Sequence, residues 1–521
     1  MPVKMRTTAL TRRRLLIAGA ASAGATMSGA LARPYLGRAA DRPRITHGVQ
    51  SGDITGDSGV VWARTDRPAR MVVEVATTES FADIRSGTTV DALPESDFTA
   101  KALIEDLPAG SDVFYRIRFE NLAEPTVVSE PMVGRFRTAP DAPRSLTFVW
   151  SGDTAGQGWG IDEARGGMRT YATMLRNRPD FFIHSGDTIY ADCTIAPSQA
   201  MPNGETWRNI VTPEKAKVAE TLADYRGNYK YNLLDANLRA FNAEVPTFAQ
   251  WDDHEVTNDW GPGELIHDAM RRDLLLLAAR GCRAFHEFMP LRETPAEPGR
   301  VYRKIPYGPL LDVFMLDMRS YRGPNGTVSA KPCGPAASLL GPKQVAWLKR
   351  ELKASRATWK VIAADLPLGI ASGDGIGFGD GAPCARELEI ADLLTFIKRA
   401  QVHNTIWITA NEHYTAAHHY DPNRAQFQDF EPFWEFVSGP IHAGTWWPSN
   451  LDNTFGPHVA FQKASTHELG ENLPPSYGLQ FFGHVAIDGA SRVMTVTLKD
   501  VGDKALWSID LAPAPERVSI L

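Results

Sequence analysis

Phe181-Phe182-Ile183-His184-Ser185-Gly186-Asp187-Thr188-Ile189-Tyr190 is the stretch on which the fold turns. A short apolar run closed by a Ser-Gly turn reads as a buried strand. Asp187 then stands just past its carboxyl end, where open α/β sheets place their ligands. Asp is a hard oxygen donor, and Tyr190 is a less common one three positions on. Taken alone the decapeptide could equally be a strand and an ordinary Gly-Asp turn. The same grammar recurs, however. Leu146–Trp150 runs into Ser151-Gly152-Asp153, Thr247–Gln250 into Trp251-Asp252-Asp253-His254-Glu255, Leu311–Leu316 into Asp317-Met318-Arg319, and Thr405–Thr409 into Ala410-Asn411-Glu412-His413.

These strand candidates alternate with helical stretches at Gly167–Arg176, Leu265–Phe288, Gly341–Ser355 and Ala385–Ala400, with Trp359–Ala364 as a further strand. The rhythm is α/β. Phe433–Ser438, Tyr477–Ile487 and Val493–Leu498 return to strand-rich sequence. In front, residues 44–139 read as a small β-sandwich: Gly59–Arg64, Met71–Val75, Phe98–Leu103 and Val113–Phe119 are short strands between Gly, Pro and Asp turns. The proline-punctuated segment Ala139–Arg144 separates it from a catalytic part at 145–510. Within that part, 193–244 is a long insertion and a candidate cap over the site.

At 521 residues, with 43% hydrophobic and 22% charged content, the chain is an ordinary globular protein of two domains. Its formal net charge of −6 leaves no basic footprint, which argues against nucleic acid as a partner. Residues 1–32 read as a twin-arginine signal: Thr11-Arg12-Arg13-Arg14-Leu15-Leu16, a weakly apolar stretch from Ile17 to Ala25, and the cleavage site Ala30-Leu31-Ala32. The apolar run is too short to anchor the chain in a bilayer. The expectation is passage through the twin-arginine machinery to the periplasm or outside, with no stable membrane anchor once the signal is cut. Cys193, Cys282, Cys333 and Cys384 form no C-x-x-C unit and allow three complete pairings, which the sequence leaves open.

Strand ends thus supply Asp153, Asp187, Tyr190, Asp252, Asp253, Asn411 and His413 as metal-ligand candidates, with Asp187 as the bridge between two ions. His254 stands with Asp252 and Asp253 among these donors, and Arg319 is a candidate for handling a phosphoryl group because its planar fork suits phosphate. His418 and His419 read as surface residues, and His442 and His484 stay undecided. There is no G-x-S-x-G elbow, no H-E-x-x-H helix and no Walker A loop, so a metal-activated water or hydroxide is the simplest nucleophile.

Together, Gly186–Tyr190, Trp251–Glu255, Asp317–Arg322 and Val437–Pro440, in this order, resemble the PhoD-type alkaline phosphatases, relatives of the calcineurin-like and purple acid phosphatases. The resemblance implies a four-layer αββα metallophosphoesterase core behind a fibronectin-like sandwich, and Fe(3+) beside Ca(2+), with Mn(2+) or Zn(2+) as alternatives. It implies Asp187 bridging, Tyr190 on the ferric ion, Asp253 on the second metal, His254 facing phosphate and His413 closing the site. Ser151-Gly152 stands where the family has Ser-Cys, and Ala410-Asn411 where it has Gly-Asp. A thiolate and a carboxylate are therefore exchanged for the neighbouring Asp153 and a neutral amide. The function expected is hydrolysis of small-molecule phosphate monoesters or diesters. A phosphodiesterase of phospholipase D-like activity and a non-catalytic exported metal- or ligand-binding protein are the alternatives.

Overall fold

Alternation along the Phe181–Ser185 strand sets the layers. Phe181 and Ile183 face a core shared with Phe148, Trp150 and Phe248 on one side and Val313, Met315, Val361, Ala363, Ile408 and Phe436 on the other. Phe182, pointing the opposite way, packs with Tyr171, Met174, Phe241 and Phe285 of helices on the outer face. A third cluster joins Phe314, Ile362 and Trp407 to Leu348, Leu352, Ile390 and Leu394 of the helices Gly341–Ala354 and Glu387–Arg399. Period-two burial in strands sandwiched by helices therefore yields helix, sheet, sheet and helix in succession. In the computed structural model the described residues are 42–262, 273–325, 337–371, 374–378 and 381–514. The described residues from Pro43 onward form one compact unit, and residues 1–32, where the sequence leads one to expect an export signal, lie outside the described residues.

Among the described residues, one sheet has nine strands in the order Ala505–Leu511, Met494–Asp500, Phe481–Ile487, Leu146–Ser151, Phe181–Ser185, Thr247–Gln250, Ile45–Gly52, Gly59–Thr65 and Thr99–Ile104. The facing sheet has seven: Arg303–Pro306, Leu311–Met315, Trp359–Ala363, Thr405–Thr409, Phe433–Ser438, Thr415–Tyr420 and Pro457–Lys463. The central strands of each are parallel. Their carboxyl ends are where the aspartates follow.

The β module in front is a small sandwich. Strands Ala69–Ala76 and Asp112–Asn121, flanked by Ser86–Ala92 and Met132–Arg137, press Met71, Val73, Tyr115 and Ile117 against Val49, Val61, Ala63 and Ala102. One of its layers is also part of the nine-stranded sheet, because Gly52 pairs in parallel with Thr247.

The 193–244 insertion departs from its expected role as a cap. Its helices Leu222–Asn232, opened by a Thr221/Asp224 capping box, and Ala236–Glu244 bury Tyr225, Tyr229 and Phe241 against the outer face of the sheet. Tyr225 and Tyr229, four apart, and Leu238 and Phe241, three apart, gain more from that face than from a solvated lid. His418 departs too: on the strand Thr415–Tyr420 it is buried, with Nδ1 3.0 Å from Glu435, while His419 is half-exposed. Cys193 and Cys282 are free thiols, and Cys333 lies outside the described residues. No helix among the described residues is long and apolar enough to cross a membrane.

Phe181 stacks between Phe148 and Phe248, at 4.9 and 4.5 Å between ring centroids. Phe181→Ala is expected to destabilise the fold by about 3–5 kcal/mol, read from the denaturant midpoint at unchanged slope.

Candidate metal centre and cleft

Ser151-Gly152-Asp153 and Ser185-Gly186-Asp187 end neighbouring parallel strands and are tied to each other. Asp153 N–H donates to Gly186 O at 3.2 Å, and Thr154 N–H to Asp187 O at 2.9 Å. Both glycines are required by close approach. A Cβ on Gly186, whose φ is +97°, would lie 2.5 Å from Asp252 Cβ, and one on Gly152 would lie 2.6 Å from Ala410 Cβ. Asp153, Asp187, Asn411 and His413 all sit at left-handed φ, at 60°, 53°, 64° and 54°. Four candidate ligands in that sparsely populated region mark turns held by their surroundings.

Asp153, Asp187 and His413 place donor atoms within 4.8 Å of one another, and Asp187, Asp253 and His254 do the same. Asp187 is common to both groupings. Both oxygens of Asp153, and one each of Asp187, Asp252 and Asp253, are buried without a hydrogen-bond donor. Buried carboxylate oxygens are rarely left so, and these fit cations. Burial first, then repulsion from Asp252 and Asp253, pushes the Asp153 and Asp187 carboxyls well above the usual carboxylate range, against the opposing pull of His254. Asp253 goes the other way: burial would raise it, but His254, Arg319 and the Asp259 N–H outweigh that. A cation between these groups would restore their ionised forms.

His413 has the tautomer that a metal ligand would need. Burial lowers it to about 4, so it is neutral, and its Nδ1 is 2.5 Å from Gly444 O. That contact makes Nδ1 the donor and leaves the Nε2 lone pair facing Tyr190 Oη at 2.8 Å and Asp153 at 3.7 Å. Tyr190 is fully buried, and burial followed by repulsion from Asp187 and Asp153 raises its hydroxyl well above the ordinary tyrosine value.

His254 stacks on the Tyr190 ring at 4.2 Å between centroids. Its Nδ1 meets Asp192 at 2.7 Å, and its Nε2 is 4.0 Å from Asp253. Burial opposes its charge, yet Asp192, Asp253 and Asp187 together raise it well above the usual histidine value. Asp192 was not among the sequence candidates, although it lies only two residues beyond Tyr190.

Arg319 takes a different place from the one expected. Its side chain is wholly buried, with Nε 2.6 Å from Asp252 and a terminal nitrogen 2.9 Å from Asp374. Asp365 and Asp253 lie at 3.7 and 3.9 Å. Its fork is therefore turned to carboxylates rather than to the cleft. Asp252 stays with it beneath the cluster, raised to about 6 by burial against the pull of Arg319. Asp365 also escaped the sequence reading, although it follows the Trp359–Ala363 strand in the same way as the other aspartates. Glu255 clasps two turns: its carboxylate accepts from Thr188 N–H and Oγ1, both at 2.6 Å, and from Asp252 N–H at 2.9 Å.

Above the cluster opens a cleft of about 590 Å³, a size that suits a small molecule. Asp187, Asp253, His254, Asn411 and His413 line it, as do Asp259, Asp374, Glu412, Trp446 and Trp447. Asp253, Asp259 and Asp374 form a further grouping at its rim. His442 is buried with Nε2 on Gly160 O, away from these groupings.

Residues 148–498 match the family described as PhoD-like phosphatase, and 30–140 its N-terminal domain. Alkaline phosphatase D of Bacillus subtilis (strain 168) is 28% identical over 470 residues, covering 84% of this chain and 73% of that protein. A solved structure of PhoD superposes with a TM-score of 0.67 at 20% identity, over 91% of this chain and 93% of the other. A purple acid phosphatase from yellow lupin (Lupinus luteus) seeds gives 0.58 at 11% identity, over 90% and 74%. With two aspartate-bearing turns brought together at the sheet ends and the family match spanning most of the length, the chain belongs to the PhoD-like phosphatases, hydrolases acting on phosphoester bonds.

Proposed function

We propose that this chain is an exported, metal-dependent phosphoesterase that cleaves small-molecule phosphate monoesters or diesters in the cleft above Asp187. The observation that carries the reading is Asp187 shared by two donor groupings whose carboxylate oxygens are buried without donors. That arrangement suits two cations bridged by one carboxylate. Asp153, Tyr190 and His413 would hold one, Asp253 and Asn411 the other. Oxygen donors with one imidazole and one phenol suit Fe(3+) beside Ca(2+), with Mn(2+) or Zn(2+) as alternatives. Bound there, the ions would supply Lewis-acid charge and an acidified water.

His254 has the chain's own part in the chemistry. Asp192 holds its Nδ1, so Nε2 is free to donate to a phosphoryl oxygen or to the departing oxygen. Arg319 works through Asp252 and Asp253, fixing where the carboxylates point. Export rests on residues 1–32, and the division into domains at 44–139 and 145–510 on the linker between them.

Asp187→Asn and Asp253→Ala are each expected to reduce turnover of an aryl phosphate by at least about a thousandfold while the folded protein persists by circular dichroism. Wild-type-like rates in either would remove the reading. Cation binding has its own signature. Since Asp153 and Asp187 have raised pKa values, the cation-free protein retains protons that a free aspartate would have lost. Adding cation to chelator-treated protein in weak buffer at mildly acidic pH should release protons, and Asp187→Asn should release fewer. Iron at Tyr190 would colour the protein through phenolate charge transfer, and Tyr190→Phe should bleach it without loss of fold.

A further inference from the structure

One wall of the cleft is aromatic, and nothing in the phosphoryl chemistry requires it. Trp446 and Trp447 are half-exposed there, followed by the exposed Pro448. Indoles usually sink most of their area into a core, and scattered exposed apolar groups need no explanation. This pair is neither sunk nor scattered.

The wall is fixed to the turn that carries the site. Gly444 O accepts from His413 Nδ1, Trp446 N–H donates to His413 O at 3.3 Å, and Ser449 Oγ donates to Glu412 at 2.5 Å. Trp446 spends its indole N–H on Gln157 Oε1 at 3.3 Å. Trp447 is seated on His467, with ring centroids 4.5 Å apart and planes inclined by 39°. That contact favours one placement of the ring and so lowers the ordering cost when a ligand arrives.

The geometry points to Trp447 as a stacking platform for a planar ring on the substrate, which makes aryl and nucleobase-bearing phosphoesters the preferred class over alkyl ones. Aspartates and amides on the other cleft walls recognise charge and polarity. A π-face instead recognises flatness, whatever the ring's hydrogen-bonding pattern. This assignment rests on the phosphoesterase reading of the same cleft.

Non-hydrolysable probes separate stacking from leaving-group reactivity. Competitive inhibition of wild-type turnover by phenylphosphonate and by methylphosphonate gives two inhibition constants, and phenylphosphonate should bind about tenfold more tightly. Trp447→Ala should erase that ratio by weakening phenylphosphonate selectively, and Trp447→Phe should keep most of it. Equal affinities in the wild type, or a Trp447→Ala effect of the same factor on both probes, would overturn the stacking assignment while leaving the hydrolase reading intact. A wild-type protein, fully loaded with metal, that cleaves no phosphoester would bring down the site reading itself, and this assignment with it.

Discussion

The structure is organised around a group of buried carboxylates that cannot all be ionised without added positive charge. Asp153, Asp187, Asp252, Asp253 and Asp365 are each no more than 2% exposed. Moving one unpaired charge from water into such a place costs several kcal/mol even after relaxation. Arg319 brings a single positive charge and already shares it among Asp252, Asp253, Asp365 and Asp374. The remainder must come from protons or from cations, and the raised carboxyls of Asp153 and Asp187 are the proton answer to that demand. The neutral tautomer of His413, with its lone pair turned toward Asp153, favours the cation answer. The stability of the fold and the chemistry proposed for the cleft thus depend on the same electrostatic imbalance.

Holding such groups together needs a scaffold that does not relax away from them. Two sheets packed face to face supply it, since the interdigitated core under Phe181 resists sliding and the parallel strands ending at Ser151, Ser185, Gln250 and Ala363 each lead into an aspartate. The left-handed turns at Asp153, Asp187, Asn411 and His413 cost roughly 1 kcal/mol or more apiece. They persist because turn is bonded to turn, Asp153 to Gly186 and Thr154 to Asp187, and because Glu255 clamps the Thr188 and Asp252 backbones. Local strain is held by strands that have no alternative register once their inner faces are buried.

What could be read from the sequence followed from what is local. Phe181–Ser185, Thr247–Gln250 and Thr405–Thr409 declare themselves because a short apolar run between turn residues has few other uses. Thr415–Tyr420 does not: Thr-Ala-Ala-His-His-Tyr looks polar, and His418 is buried only because Glu435 on the adjacent strand receives its ring. Ile45–Gly52 was missed for a similar reason, since two glycines weaken the strand signal and its partners lie at 60–65 and 247. The aspartates after strands announced the site, yet Asp192, which orients His254, and Asp365, which faces Arg319, were passed over. Their roles lie in pairings across 62 and 46 residues of chain, respectively, and spacing along a sequence does not contain them. The insertion at 193–244 misled because helix-forming content says nothing about which surface a helix will cover.

The same distinction bears on how this chain departs from the pattern it resembles. Against the pattern that the resemblance implies, Gly152 stands where a cysteine is expected and Ala410 where a glycine is expected, 258 positions apart in the chain. In space they are one, because a Cβ at 152 would come within 2.6 Å of the Ala410 methyl. A side chain at either position excludes one at the other, so the methyl at 410 occupies the approach that a thiol at 152 would need. Asp153, next along the turn, has both oxygens buried without a donor and lies beside His413. The donor that chain position 152 cannot offer is thus available from 153 as a hard oxygen in place of a soft sulfur. At a metal site there, oxygen in place of sulfur would favour oxygen-loving cations.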